Sequence, residues 1–192
     1  GSAGCVLANR LSANPGNRIL LLEAGGSDLN PWIHIPVGYF KTMHNPRTDW
    51  CYVTEPDEGI ASRRLQWPRG KVLGGSSSLN GLLYVRGQPE DYDHWVELGN
   101  KGWSFDEVLP YFKKSEDQER GADAYHGVGG PLKVSNLRLR RPIADYFIEA
   151  ATQVGIPFNE DYNGAHQEGV GYFQQTAHKG FRWSTAKGFL RP

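Results

Sequence analysis

The chain of 192 residues is long enough for one large domain or two small ones. Its 21 lysines and arginines balance 21 aspartates and glutamates, so the zero net charge argues against a basic surface that binds nucleic acid or an anionic membrane. Hydrophobic residues make up 39% of the chain, which excludes a disordered tail. Two cysteines, Cys5 and Cys51, are too few for a disulfide scaffold.

The first 26 residues are typical of the start of a dinucleotide-binding fold. The small-residue turn from Gly1 to Gly4 precedes a helix pattern, and the apolar run 19–22 predicts a buried parallel strand that ends at Glu23. In such folds a glycine turn admits a diphosphate at a helix N-terminus, and the acid after the strand binds ribose. The GxGxxG motif needs one more glycine before Gly1, so an ordinary tight turn explains the pattern as well.

The rest of the chain predicts one irregular segment and several short elements. Long elements within residues 27–69 are excluded by Pro31, Pro36, Pro46 and Pro56, and the aromatic residues of this segment indicate a loop that packs as a lid. A capping box at Ser104 predicts the start of a helix, because Glu107 stands three residues later. Further helices are predicted at 91–98, 143–154 and 184–190, and strands at 132–134 and 172–177.

A second glycine cluster carries more chemistry than the first. Residues 69–81 read RGKVLGGSSSLNG, and the spacing of Leu79, Leu82 and Leu83 predicts a helix that begins at the serines. Backbone amides, hydroxyls and a carboxamide then converge near a helix N-terminus, which suits a polar cofactor or an anion. A serine-rich helix cap after a flexible turn is the alternative interpretation.

The same cluster carries a family resemblance. Residues 70–93, GKVLGGSSSLNGLLYVRGQPEDYD, resemble the first signature of the glucose–methanol–choline (GMC) family of flavin oxidoreductases. The opening is similar to the family's N-terminal FAD motif, and LLLEAGG is similar to its ribose-binding strand end. YHGVGGPL and GFRWSTAKGFLRP extend the resemblance to the whole chain, and TDWCYVTEP and YVRGQPEDYDHW are most similar to the choline and alcohol dehydrogenase branch.

The resemblance implies an α/β fold: an incomplete FAD-binding Rossmann-like domain over residues 1–192, with a lid-like segment at 27–69 and the start of a substrate domain from about residue 140. It places the first strand before Gly1 and the catalytic histidine beyond the C-terminal end, so we expect a fragment that is unstable and inactive alone. No catalytic residue and no metal ligand is therefore assigned in this chain. We interpret all six histidines as surface or structural residues: His34, His44, His94, His126, His166 and His178.

The resemblance also implies which residues bind FAD. The residues that resemble the loop under the diphosphate are Gly1, Ser2 and Gly4, and those at the ribose are Glu23 and Ala24. The residues that match the flavin-lining segments are Val72, Gly74, Gly75, Ser76, Ser77, Asn80, Gly81, Leu82 and Leu83. Some members attach FAD covalently through a histidine immediately before this asparagine. Leu79 stands there instead, so we expect non-covalent FAD.

The implied reaction is the oxidation of choline or another primary alcohol to the aldehyde, with hydride transfer to the flavin and with oxygen, a quinone or another carrier as acceptor. A hydroxynitrile lyase of the same family, an NAD(P)-binding dehydrogenase domain and a non-catalytic binding module are the alternatives. The second glycine cluster argues against the NAD(P) alternative. We expect no nucleic-acid partner and a cytoplasmic or peripherally membrane-associated protein. The resemblance leaves the alcohol and the oligomeric state open.

Overall fold

The computed structural model describes residues 1–191 as a mixture of helices and short strands, in agreement with the predicted fold class. In this range the α-helices are α1 (Ser2–Ser12), α2 (Pro31–His34), α3 (Tyr39–Thr42), α4 (Pro89–Glu97), α5 (Phe105–Ser115) and α6 (Pro142–Gln153). The strands are β1 (Tyr52–Val53), β2 (Gln66–Trp67), β3 (Glu116–Gln118), β4 (Leu132–Val134), β5 (Ala177–His178) and β6 (Phe181–Arg182). Short 3₁₀-helices cover Pro36–Gly38, Glu58–Ile60 and Gly75–Ser78, and a π-helix covers Ala186–Leu190.

The chain forms two compact units: residues 1–82 with 179–191, and residues 83–178. In the first unit α1 packs against the π-helix, where Asn9 Nδ2 donates to the Phe189 carbonyl at 2.7 Å. The predicted helices at the start of the chain, at 91–98, after the capping box at Ser104 and at 143–154 are confirmed as α1, α4, α5 and α6. The domain boundaries stay a prediction. No helix within residues 1–191 combines the length and apolar composition needed to cross a bilayer.

The irregular segment 27–69 is organised around one buried carboxylate. Asp49 accepts backbone hydrogen bonds from His44 at 2.7 Å, from Arg69 at 2.9 Å and from Cys51 at 3.0 Å. Burial raises the pKa of Asp49, but these three hydrogen bonds outweigh burial and lower it. These hydrogen bonds fix the loop around Asp49, and the same segment contains the antiparallel pair β1–β2.

Two predicted elements are wrong. Residues 19–22 form no strand with any described residue, and Leu20 and Leu22 are each 81% exposed. A strand requires a neighbour that receives its backbone hydrogen bonds, and residues 1–191 place none beside this segment. The predicted helix after the serines is replaced by the 3₁₀-turn Gly75–Ser78, because Leu82 has a φ of +65°, which no right-handed helix allows.

The C-terminal predictions are confirmed only in outline. The predicted strand at 172–177 is reduced to β5, although Gln175 pairs with Leu83 and with Ser135 as isolated bridges. The predicted helix at 184–190 is the shorter π-helix. The strand predicted at 132–134 is confirmed as β4, which pairs in parallel with β3.

The second unit is built around a buried charged network instead of an apolar centre. Glu116 is fully buried and accepts hydrogen bonds from Arg86 Nη2 at 2.8 Å, from His126 Nδ1 at 3.0 Å and from the Gly127 amide at 2.9 Å. His126 Nε2 lies 2.8 Å from Asp161 Oδ2. Each buried charge in this network thus faces an opposite charge, which such burial requires.

The network sets the protonation of its histidine. Burial lowers the pKa of His126, but the hydrogen bonds to Asp161 and Glu116, and their charges, outweigh burial and raise it to about 9. His126 is therefore doubly protonated at neutral pH. Because the pKa is raised above the unfolded value, the histidine stabilises the folded state fully below about pH 6.5 and loses this effect as the pH passes 9.

We predict that the free energy of unfolding decreases between pH 6.5 and pH 9 by on the order of 3 kcal/mol from this residue. Denaturant unfolding at pH 6, 7.5 and 9 measures the effect. His126→Gln should flatten the profile between these values. The control His94→Gln removes an exposed histidine that pairs with Glu97, and it should leave the slope unchanged. An equal slope in wild type and His126→Gln would contradict the assignment.

Candidate cofactor-binding site

The structure brings the two glycine clusters of the sequence into direct contact. A Cβ on Gly75 would lie only 2.5 Å from Gly1 Cα, and Ser2 Oγ donates to the Gly74 carbonyl at 3.2 Å. Gly75 also has a φ of +57°, so both its conformation and its surroundings require glycine. The turn before the 3₁₀-helix therefore lies against the start of α1.

The N-terminus of α1 is open to a ligand. Gly1 occupies the N-cap position, and no side chain accepts a hydrogen bond from the first helical amides. Gly4 lies in this first turn and is only half-buried. A helix start without a side-chain cap presents free N–H groups and the positive end of the helix dipole, which together favour a phosphate group.

The carboxylate predicted at the ribose lies beside this helix start. Glu23 Oε1 accepts a hydrogen bond from the Gly25 amide at 2.9 Å, and Oε2 lies 3.6 Å from the Gly1 nitrogen. Gly25 lies so close to the Lys71 carbonyl that any side chain would overlap it. This close approach fixes the turn after Glu23, and Ala24 is exposed next to it.

The serine hydroxyls of the second cluster bind the turn itself. Ser77 Oγ donates to the Gly74 carbonyl at 2.7 Å and lies 2.8 Å from Thr185 Oγ1. Ser76 Oγ accepts a hydrogen bond from the Gly70 amide at 3.1 Å. Among the described residues these hydroxyls hold the turn. Their predicted role at a cofactor stays a prediction.

The apolar residues of this segment form a small core. Val72 and Leu79 are 1% and 3% exposed and pack in a cluster with Ile33. The side chain that replaces the covalent histidine of some family members is therefore buried. The side chain of Val72 packs in this core, and its backbone forms a parallel bridge with Gly26.

The last four predicted residues lie around the end of the first unit in the sequence. Asn80 is exposed, a Cβ on Gly81 would meet no described atom within 4 Å, and Leu82 is buried. Leu83 belongs to the second unit, where it pairs with Gln175. The structure thus joins thirteen of the fourteen predicted residues within one unit.

The sequence interpretation missed Arg182, which contacts this segment from beneath. Its side chain is buried, and Nη1 donates to Asn80 Oδ1 at 2.8 Å and to the Ser77 carbonyl at 3.2 Å. Burial lowers the pKa of Arg182 to about 10. The available signal was a single charged residue between two large aromatic residues, Phe181 and Trp183.

One group of side chains in the second unit has the spacing of a metal site. Ligand atoms of Asp123, His126 and Asp161 lie within 4.8 Å of one another. Both ring nitrogens of His126 already face carboxylates, at Glu116 and Asp161, and the histidine is protonated at neutral pH. A protonated imidazole has no lone pair for a cation, so this group is an ion-pair network.

The geometry of the first unit fits a dinucleotide. An open helix N-terminus, an adjoining glycine backbone and a carboxylate beside it are the groups that bind a diphosphate and a ribose. The exposed Asn80 carboxamide adds one polar group at the far end of the turn. These groups can bind and orient such a ligand.

Comparisons with known proteins agree with this geometry. A family model described as GMC oxidoreductase matches residues 1–192. The mitochondrial choline dehydrogenase of Mus musculus is 48% identical over all of this chain and 33% of its own length. The alcohol dehydrogenase [acceptor] of Pseudomonas putida is 48% identical over 99% of this chain and 35% of its own length.

A solved structure is also similar to this chain. The crystal structure of pyridoxine 4-oxidase from Mesorbium loti superposes with a TM-score of 0.93 and 39% sequence identity, over 99% of this chain and 38% of that protein. The chain thus spans about a third of the length of the curated relatives it matches.

Proposed function

The chain belongs to the GMC oxidoreductase family, a family of FAD-binding oxidoreductases, and from this premise we propose that it forms the FAD cradle of an enzyme that oxidises an alcohol. The contact between Gly75 and Gly1, which joins the two glycine clusters at an open helix start, carries the proposal. Choline or another primary alcohol is the proposed substrate, and the names of the choline and alcohol dehydrogenase relatives support it.

The proposed roles follow from the geometry of the first unit. The first amides of α1, from Ser2 to Gly4, bind the diphosphate, and the free oxygen of Glu23 accepts hydrogen bonds from the ribose. Backbone groups of the turn at Gly74–Ser77 and the carboxamide of Asn80 contact the flavin end. The carbonyl of Gly74 is already occupied by Ser2 and Ser77, which keeps the turn rigid.

A bound FAD would supply hydride-accepting chemistry, so that an alcohol that lost a hydride from its carbinol carbon and a proton from its hydroxyl would become the aldehyde. The residues of this chain bind and orient the cofactor. Three hydrogen bonds hold the loop in one conformation. Ser77 Oγ donates to the Gly74 carbonyl, the Thr185 amide donates to Ser77 Oγ, and Arg182 Nη1 donates to the Ser77 carbonyl. We assign the removal of the alcohol proton to no residue of this chain.

The test of the proposal is an anaerobic titration of the complete protein that contains this chain. We expect a flavin absorption spectrum that bleaches on addition of choline or of one member of a panel of primary alcohols. A flavin that stays oxidised with every alcohol contradicts alcohol oxidation and favours the lyase activity of the same family. A preparation that binds no FAD contradicts the cradle itself.

Gly75→Ala should abolish FAD retention, because the added Cβ meets the backbone at Gly1 and the φ of +57° is strained for alanine. The ratio of flavin to protein absorbance after gel filtration measures retention. Gly99→Ala is the matched control: Gly99 also has a positive φ, of +97°, but a Cβ there meets no described atom within 4 Å. Equal retention by both variants would count against the contact as the basis of the cradle.

We further predict that the flavin is released intact by acid precipitation of the protein. The position before Asn80 holds Leu79, an alkyl side chain without a nucleophilic atom. FAD should therefore appear in the supernatant with unchanged mass. Flavin that stays with the precipitate would refute non-covalent binding.

A further inference from the structure

Arg182 makes an unusual set of contacts for a buried cation. It is 1% exposed, and it donates from Nε to the Ile33 carbonyl at 2.8 Å and from Nη1 to the Ser77 carbonyl and to Asn80 Oδ1. All three acceptors are neutral. Its Nη2 finds no acceptor among the described residues. The guanidinium thus lies buried beneath the proposed flavin segment without a carboxylate partner.

The other buried arginine of the described chain shows the ordinary arrangement. Arg86 is 6% exposed and donates to the fully buried Glu116 at 2.8 Å, so its charge is neutralised. A buried cation without such a partner destabilises the folded state. Burying the charge of Arg182 therefore costs stability, and what the side chain provides is a set of directed hydrogen bonds, one of which goes to Asn80.

The contact determines which way the Asn80 carboxamide points. A guanidinium has donors only, so the atom that faces Arg182 must be the oxygen Oδ1. The Leu82 amide also donates to Oδ1, at 3.2 Å. Both donors demand the same orientation. The amide nitrogen Nδ2 then points away from Arg182. Asn80 is exposed, and Nδ2 donates to no described residue.

We propose that Arg182 is a positioning residue that holds Asn80 with its oxygen inward, so that Nδ2 donates a hydrogen bond to an acceptor atom of the bound FAD. This inference rests on the proposed function. It adds a role for a residue that lies 102 positions from Asn80 in the sequence. Arg182 itself stays beneath the loop, and only Asn80 touches the cofactor.

The test measures the dissociation constant of FAD on the apo form of the complete protein, by the change in flavin fluorescence. Asn80→Ala removes the donor, and Asn80→Asp leaves an oxygen for Arg182 but no donor for FAD. Each should weaken binding about fivefold to tenfold, the share of one hydrogen bond. Arg182→Gln offers both a donor and an acceptor to Asn80, so the carboxamide can turn over and binding weakens about fivefold.

Arg182→Lys should rescue binding to within about twofold of wild type, because an ammonium group, like a guanidinium, only donates. The double variant Arg182→Gln with Asn80→Ala should bind FAD no more weakly than Asn80→Ala alone. Arg86→Gln is the control for a buried arginine: it should lower the melting temperature and leave the dissociation constant of the folded fraction unchanged.

Three results would overturn the proposal. In the first, Arg182→Gln and Arg86→Gln both reduce stability and neither changes the dissociation constant of FAD. In the second, the effects of Arg182→Gln and Asn80→Ala on this dissociation constant are additive in the double variant. In the third, which decides by itself if Arg182→Gln does not fold, Asn80→Asp leaves the dissociation constant of FAD unchanged. This result would show that Asn80 Nδ2 donates no hydrogen bond to FAD. A wild-type protein that binds no FAD contradicts the proposed function. Normal FAD binding that is unchanged by substitutions at Asn80 and Arg182 contradicts only the positioning role.

Discussion

The contact between the start of α1 and the turn at Gly75 is the constraint on which the first unit depends. The two backbones approach so closely that a single methyl group does not fit between Gly75 and Gly1. The start of α1 has no side-chain cap, and under the proposed function a diphosphate beside the adjoining turn would accept hydrogen bonds from its first amides. The same close approach would then serve both the packing of the unit and the binding of the cofactor.

The two units solve the burial of polar groups in different ways. The second unit neutralises each buried charge, as Arg86, Glu116, His126 and Asp161 show. Such a network is stable only over the pH range in which the histidine keeps its proton. The first unit leaves the guanidinium of Arg182 with neutral acceptors and one unsatisfied nitrogen. That arrangement is costly for stability, and it fixes the orientation of a side chain at the proposed cofactor site.

The local signals in the sequence predicted the elements that depend on neighbouring residues. The capping box at Ser104 is present in both directions, with Glu107 returning its side chain to the Ser104 amide at 3.1 Å. Helix α6 begins at Pro142 as predicted. The apolar run 19–22 failed as a strand, because pairing depends on a neighbouring segment and not on the run itself.

The sequence by itself indicated the family and, through that resemblance, the cofactor class, because the segment 70–93 and the motifs that accompany it are local features that a one-dimensional pattern records. Only the tertiary structure decided how these residues act. It placed Thr185 beside the hydroxyl of Ser77, and it placed Arg182 against the Asn80 carboxamide. Contacts between residues more than a hundred positions apart follow from the packing of the chain, which no local pattern encodes.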